Sequence, residues 1–124
     1  MLYDIIHVED DPRFSKPTKA AADSCGLSIL ELVSLEELEK ELSTNDARYY
    51  VVDGRFPRIR GGQVLELANE AIIKIREKKS DAKIIIYSSS MPNLKESSGL
   101  EGVPKSVMPK QLVAKIQNRI NATY

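Results

Sequence analysis

The spacing of apolar residues changes period repeatedly along this chain. Leu2–Val8 (LYDIIHV) reads as a strand with Ile5, Ile6 and Val8 in the core. The acids Glu9-Asp10-Asp11 stop it, and Pro12 suits the first turn of a helix, where a missing N–H costs nothing. That helix runs to about Ser24, with Gly26 placed as its C′ residue. Residues 28–33 (SILELV) form a second strand. Ser34-Leu35-Glu36-Glu37 is a capping box that opens a second helix, from Leu35 to about Ser43. The run Tyr49-Tyr50-Val51-Val52 is aromatic and β-branched, as a buried third strand should be. After Gly61-Gly62, the residues Val64, Leu67, Ala68, Ala71, Ile72 and Ile75 recur at helical spacing, which predicts a third helix from Gln63 to about Lys79. Residues 83–87 (KIIIY) are apolar enough for a central strand. Met91 to about Ser97 has room for a short helix at most. Gly102-Val103-Pro104 is a short fifth strand. Met108 to about Asn121 is a last helix, with Leu112, Val113, Ile116 and Ile120 facing inward.

Strands and helices thus alternate, with the fourth helix shortened. That order implies an α/β fold: a parallel sheet with right-handed crossovers and helices on both faces. The third strand is the one the rest is organised around. Asp53 follows Val52, and Gly54 and Pro57 end the strand there. Asp53 therefore stands at the carboxyl end of a central strand, where open α/β sheets bind their ligands. Taken alone, such a carboxylate is a metal ligand, a nucleophile or the cap of a turn.

Composition narrows the function classes. The chain has 124 residues, the size of one domain, and 42% of them are hydrophobic, enough to fill one core. The formal charge is zero and the pI near 6.6, which argues against direct nucleic-acid or membrane-surface binding. No apolar run approaches a membrane span, and Asp4 interrupts the start, so no signal peptide is visible. The single cysteine, Cys25, excludes an internal disulfide and reads as structural. Cytoplasm is the simplest location.

Three strand ends carry polar residues: Glu9-Asp10-Asp11, Asp53 and Ser88. Parallel strands bring them to one edge of the sheet, and Lys105 follows the fifth strand on that edge. Clustered carboxylates repel one another unless a cation intervenes. Magnesium is the natural candidate, because it takes oxygen ligands and works with one or two carboxylates plus a phosphate. Asp53 could then attack phosphorus to form an aspartyl phosphate, with Ser88 and Lys105 on the developing charge. Asp11 reads as a helix N-terminal charge rather than a ligand. His7, mid-strand among core residues, reads as structural rather than as a phosphohistidine. Arg55, Arg58 and Arg60 read as a solvated basic loop beside the site.

Four segments carry a resemblance: VEDDP from Val8, VVDGRFP from Val51, IIIYSS from Ile84 and PKSVMPKQL from Pro104. In this order they resemble the receiver domain of two-component response regulators, over nearly the whole chain. The resemblance implies a flavodoxin-like (βα)5 doubly wound parallel sheet of strand order 2-1-3-4-5, one receiver domain over residues 1–124 with no output domain attached. It implies Asp53 as phosphoacceptor, Asp10 as a direct Mg2+ ligand and Glu9 as a ligand through water. Arg55 would give its backbone carbonyl to the metal. Ser88 would be the switch hydroxyl, and Lys105, preferred to Lys110 by its spacing to Leu112, the phosphoryl-binding lysine. It further implies phosphoryl transfer from a histidine kinase or a histidine phosphotransfer protein, an unidentified downstream protein, slow self-dephosphorylation without enzymatic turnover, and a monomer or weak homodimer. The chain departs from the pattern in three places. Ser106 rather than proline follows the lysine, Gly102 stands where an aromatic switch residue is expected, and the segment from Ser88 to Lys105 is short. A muted conformational switch is the expectation. Two other functions fit the same residues: a pseudo-receiver that binds proteins without being phosphorylated, and a small phosphohydrolase with an aspartate nucleophile. The hydrolase usually needs a second acid two residues after the nucleophile, where Arg55 stands here.

Overall fold

β1 (Leu2–Val8) is an inner strand, hydrogen-bonded in parallel to β2 (Ile29–Leu32) on one side and β3 (Asp46–Val52) on the other. The computed structural model of the chain describes residues 1–95 and 97–122. Beyond β3 follow β6 (Ile84–Ser88) and β7 (Leu100–Pro104), so the main sheet is all parallel in the order β2-β1-β3-β6-β7. Because side chains alternate along a strand, each central strand feeds two cores. Ile6, Val8, Tyr50, Val52, Ile84 and Ile86 face one layer, which α2 (Leu35–Leu42) and α3 (Ala68–Lys78) cover. Ile5, Tyr49, Val51, Ile85 and Tyr87 face the other, covered by α1 (Pro12–Ser24) and α4 (Pro109–Ala122). This is the doubly wound, flavodoxin-like arrangement.

Local chemistry sets the starts of α1 and α2. The Asp11 carboxylate accepts from the Arg13 N–H at 2.9 Å, and Pro12 occupies the first turn. At α2 the capping box is closed from both sides: the Glu37 N–H donates to Ser34 Oγ at 3.2 Å, and the Ser34 hydroxyl donates to the Glu37 carboxylate at 3.1 Å. Leu112, Val113, Ile116 and Ile120 of α4 are buried. Burying each such side chain is worth about 1.5–3 kcal/mol.

Three elements differ from the hydrophobic pattern. β3 begins at Asp46, where Asp46 and Ala47 pair with Leu2 and Tyr3, a polar start that the apolar run conceals. The third helix begins at Ala68, not near Gln63. Residues 55–57 and 64–66 instead form an antiparallel hairpin, β4 (Arg55–Pro57) and β5 (Val64–Glu66). Val64 and Leu67 satisfy helical spacing, but Leu65 opposite Phe56 satisfies a strand pair, and Phe56 is fully buried. Gly61, at φ +80°, permits the connection between the two strands. Finally, the crossover from β6 to β7 carries no helix among its described residues. Glu96 lies outside them. Pro92 lacks an N–H donor and restricts the residue before it, and the segment closes instead by laying Leu94 on the first core.

Candidate functional site at the carboxyl edge of the sheet

Register places the polar residues. Val8 pairs with Val52, so Glu9 and Asp53 leave the sheet side by side, held by the Glu9 N–H on the Leu32 carbonyl (2.9 Å) and the Asp53 N–H on the Val8 carbonyl (3.0 Å). Ser88 pairs with Pro104, and the Lys105 N–H donates to the Ser88 carbonyl at 3.1 Å. Glu9, Asp10, Asp53, Ser88 and Lys105 therefore meet at one edge.

The buried part of the site is an ion triad. The Lys105 ammonium lies 2.6 Å from Glu9 Oε1 and 3.3 Å from Asp53 Oδ2. Its side chain is 7% exposed and that of Glu9 is fully buried. The second oxygen of Asp53, Oδ1, accepts from the Gly54 N–H at 2.7 Å. The ammonium also sits over the Phe14 ring, 4.2 Å from its centroid, and 6.0 Å from that of Tyr87, favourable positions for a partly desolvated cation. The Tyr87 hydroxyl donates to the Val107 carbonyl and ties down the turn after Lys105.

One ammonium among three carboxylates leaves the site short of positive charge. Glu9, Asp10 and Asp53 each offer an oxygen within 4.8 Å of the others. The Glu9 carboxyl is pushed up to about 8, by burial first and then by the hydrogen bond and charge of Asp53, against the pull of Lys105. Asp10 is also raised, by burial and then by the charges of Asp53 and Asp11, a backbone hydrogen bond opposing. Burial opposes the charge on Lys105, but the hydrogen bond to Glu9 and the field of Asp53 outweigh it and hold its pKa above the usual lysine value.

Above the triad lies an open cavity of about 480 Å3, whose walls include Asp10, Asp53, Arg55, Val64, Ser88 and Lys105. Ser88 is buried, and its hydroxyl donates to the Ser90 carbonyl at 3.0 Å rather than to Asp53. A Cβ on Gly54 would come within 2.6 Å of that hydroxyl, so glycine is what lets Ser88 lie against the peptide beside Asp53. The Arg55 side chain is exposed and loosely paired with Glu66 at 3.8 Å. Arg58 is forked onto Glu70 at 2.9 and 2.6 Å, and Arg60 reaches Glu37 at 3.2 Å. Asp11 is occupied as helix cap and by Arg13, 2.7 Å away. His7 is fully buried, with Nδ1 2.9 Å from Glu31. Cys25 is half-buried at the end of α1 and a free thiol.

Sequence reasoning missed Phe14, Val64 and Met91. A lone aromatic in a helix gives no hint that a lysine from the far end of the chain will sit on its ring. Met91 is the more informative case: a Cβ on Gly102 would meet its Sδ at 2.9 Å and its Cε at 3.0 Å. The space beside Gly102 is thus filled by a thioether from the β6–β7 segment.

No protein-family model matches the chain, and no curated protein matches it. Solved structures do. A response regulator receiver domain protein (CheY-like) from Methanospirillum hungatei JF-1 superposes with a TM-score of 0.73 at 17% identity, covering 98% of this chain and 96% of that one. A BeF3-activated DrrB receiver domain gives 0.70 at 15% identity, covering 98% and 99%. A transiently phosphorylated "switch" in bacterial signal transduction gives 0.72 at 18% identity, covering 98% of each chain. What is shared at these identities is the fold, and it is the fold of response regulator receiver domains.

Proposed function

We propose that this chain is a phosphoacceptor module of two-component signalling, phosphorylated on Asp53. The observation that carries the reading is the buried Lys105 ammonium shared between Glu9 and Asp53 at the floor of a cavity that Ser88 and Asp10 also line. A carboxylate oxygen of Asp53 attacks phosphorus, the bond from phosphorus to the donor breaks, and the donor leaves with the electron pair. Lys105 holds a phosphoryl oxygen as charge develops, and the Ser88 hydroxyl turns from the Ser90 carbonyl to a second one. Hydrolysis reverses the attachment: water attacks phosphorus, the bond to Asp53 breaks, and carboxylate and phosphate are released.

The donor set suits a hard dication. Three carboxylates close together, with one ammonium between them, need one more positive partner, and all the available ligands are oxygens. Asp10 and Asp53 would hold Mg2+ directly, Glu9 through water and Arg55 through its backbone carbonyl. When bound, the ion supplies charge neutralisation between Asp53 and the phosphoryl oxygens.

The phosphoryl donor in this reading is a histidine kinase or a histidine phosphotransfer protein in the cytoplasm, and the output passes to another protein. No helix among the described residues is long and apolar enough to cross a membrane. Arg55 stands two residues after Asp53, where a hydrolase would need a second acid, so the module accepts and slowly releases phosphate without turnover of a substrate. Intact-mass analysis after acetyl phosphate, with and without Mg2+, tests the proposal. One phosphoryl group should appear only with Mg2+ and not on Asp53→Asn. Failure of the wild-type protein to take any label would favour the pseudo-receiver, a reading that the lack of a helix among the described residues between β6 and β7 and the occupied space beside Gly102 support.

A further inference from the structure

We propose that Phe14 is a positioning residue for phosphoryl transfer: its ring holds the Lys105 ammonium beside Asp53 without taking up the hydrogen bonds that a phosphoryl oxygen needs. The inference rests on the phosphoacceptor reading and adds to it an apolar residue from outside the polar set.

Phe14 is set in place by its own neighbours. It lies in the first turn of α1, where its N–H donates to the Asp11 carbonyl at 3.0 Å and its carbonyl accepts from the Thr18 hydroxyl at 2.6 Å. Its ring meets that of Tyr87 edge to face, with centroids 6.0 Å apart and planes at 84°. Tyr87 is tied in turn by its hydroxyl to the Val107 carbonyl. The Lys105 ammonium lies over the Phe14 ring, 4.2 Å from the centroid, well inside the reach of about 6 Å over which such a contact attracts. The Tyr87 centroid is 6.0 Å away, at the limit of that reach, so Phe14 is the ring that acts on the charge. The start of α1, the end of β6 and the turn after β7 thus enclose a lysine side chain that is 7% exposed. Packing alone would be met by any aliphatic residue at position 14. A desolvated cation over the face of the ring is what an aliphatic residue would not favour.

The chemistry follows from what the ammonium must do. Lysine carries its charge on a flexible four-carbon stem, and Lys105 stands just beyond β7, an edge strand of the sheet. Its ion-pair partners are Glu9 Oε1 at 2.6 Å and Asp53 Oδ2 at 3.3 Å. The second of these changes in the reaction, because Asp53 gives an oxygen to phosphorus. The ring does not change. It attracts the cation through the negative face of its π-system, and it leaves the charge and the N–H donors free for a phosphoryl oxygen. A third carboxylate in its place would neutralise the ammonium and compete with the phosphoryl group. As that group arrives, Lys105 exchanges its contact with Asp53 for a phosphoryl oxygen while remaining on the ring. The cation is then in position before charge develops, which is when positioning lowers a barrier.

The experiment replaces Phe14 by Leu, by Tyr, and by phenylalanines carrying one, two or three ring fluorines. Fluorine drains the negative face of the ring and nearly keeps its shape, so the series changes the attraction and leaves the packing in place. Each protein is labelled with acetyl phosphate at saturating Mg2+ and followed by intact mass. The labelling rate should fall step by step with fluorine number, drop about tenfold in Phe14→Leu, and stay within about twofold of the wild type in Phe14→Tyr. The half-saturating Mg2+ concentration should not change. A second reading needs neither metal nor label: the Lys105 ε-methylene protons should be shifted upfield by the ring in the wild type and return to the ordinary lysine position in Phe14→Leu. Labelling that stays flat across the fluorinated series overturns the inference alone, as does a loss of labelling matched by a loss of Mg2+ affinity. An ordinary ε-methylene shift in the wild type also overturns it. Should Leu loosen α1, the fluorinated series decides. A wild-type protein that takes no label overturns the phosphoacceptor reading, and this inference with it.

Discussion

At the scale of single residues, the Lys105–Glu9 pair is the contact on which the site's electrostatics turn. Both charges are out of water, so removing one strands the other. Lys105→Met leaves Glu9 facing Asp53 and Asp10 with no ammonium between them. The cost depends on pH because Glu9 can take up a proton. Its folded pKa of about 8 lies above the ordinary value of 4.5, so the folded state binds that proton more tightly than the unfolded chain does. The stability it contributes is fully present below the ordinary value and is lost as pH rises toward the folded value. Asp10, also raised, acts in the same direction. In metal-free buffer the wild type should therefore unfold more easily at pH 8 than at pH 5. Lys105→Met should widen that gap, losing about 3 kcal/mol at pH 8 and clearly less at pH 5. Urea titrations of both proteins at the two pH values measure this. Equal losses at both would mean that Glu9 stays ionised throughout.

At the scale of elements, the β6–β7 segment is the part of the structure that begins at Ser88 and leads away from the site. Near the site it is held by the Ser88 hydroxyl on the Ser90 carbonyl, by Pro92 against Gly54 and by Met91 against Gly102; further along, Leu94 packs on the first core and Asn69 and Arg76 of α3 donate to the Asn93 and Ser98 carbonyls. A phosphoryl group that draws the Ser88 hydroxyl away from Ser90 acts on the root of the Met91 anchor. Sequence alone shows glycine where an aromatic partner is expected. The structure adds that Met91 fills the space beside it. Beryllofluoride with Mg2+ should shift the Met91 methyl resonance while Met1 and Met108 stay in place. An unmoved Met91 methyl in a protein whose Asp53 amide has shifted would show that Ser88 and Met91 move independently. Apolar spacing misread the neighbouring segment for a definable reason. Val64, Leu67 and Ala68 fit a helix, and only burial of Phe56 selects the hairpin.

At the scale of the whole molecule, the sheet is a rigid plate with the site at its carboxyl edge and helices buried along both faces. A ligand at that edge shifts populations only by its differential affinity for two arrangements, and the β6–β7 segment lies beside the site. α4 is fixed by four buried aliphatic side chains and by Lys115 and Arg119 paired to Glu101. Amide shifts on beryllofluoride binding should be large near Asp53, Ser88 and Lys105 and fade along α4. Shifts that persist through Ile120, or dimerisation on binding, would reveal coupling to a distant face.

The order of the five strands of the main sheet, the capping box at Ser34, and the position of Asp53 at a strand end were legible in the sequence. Each depends on neighbours within a few residues: alternation, helical spacing, and the preferences of glycine, proline and serine at boundaries. The layering followed from that order, because parallel strands joined by helices have few ways to pack. Tertiary structure alone decided which side chains share a cavity. The ammonium of Lys105 on the Phe14 ring joins segments far apart in the chain, whereas the thioether of Met91 beside Gly102 and the pairing of Val64 with Pro57 close shorter loops. Local preference is satisfied equally well without them, and only packing in the folded molecule selects them.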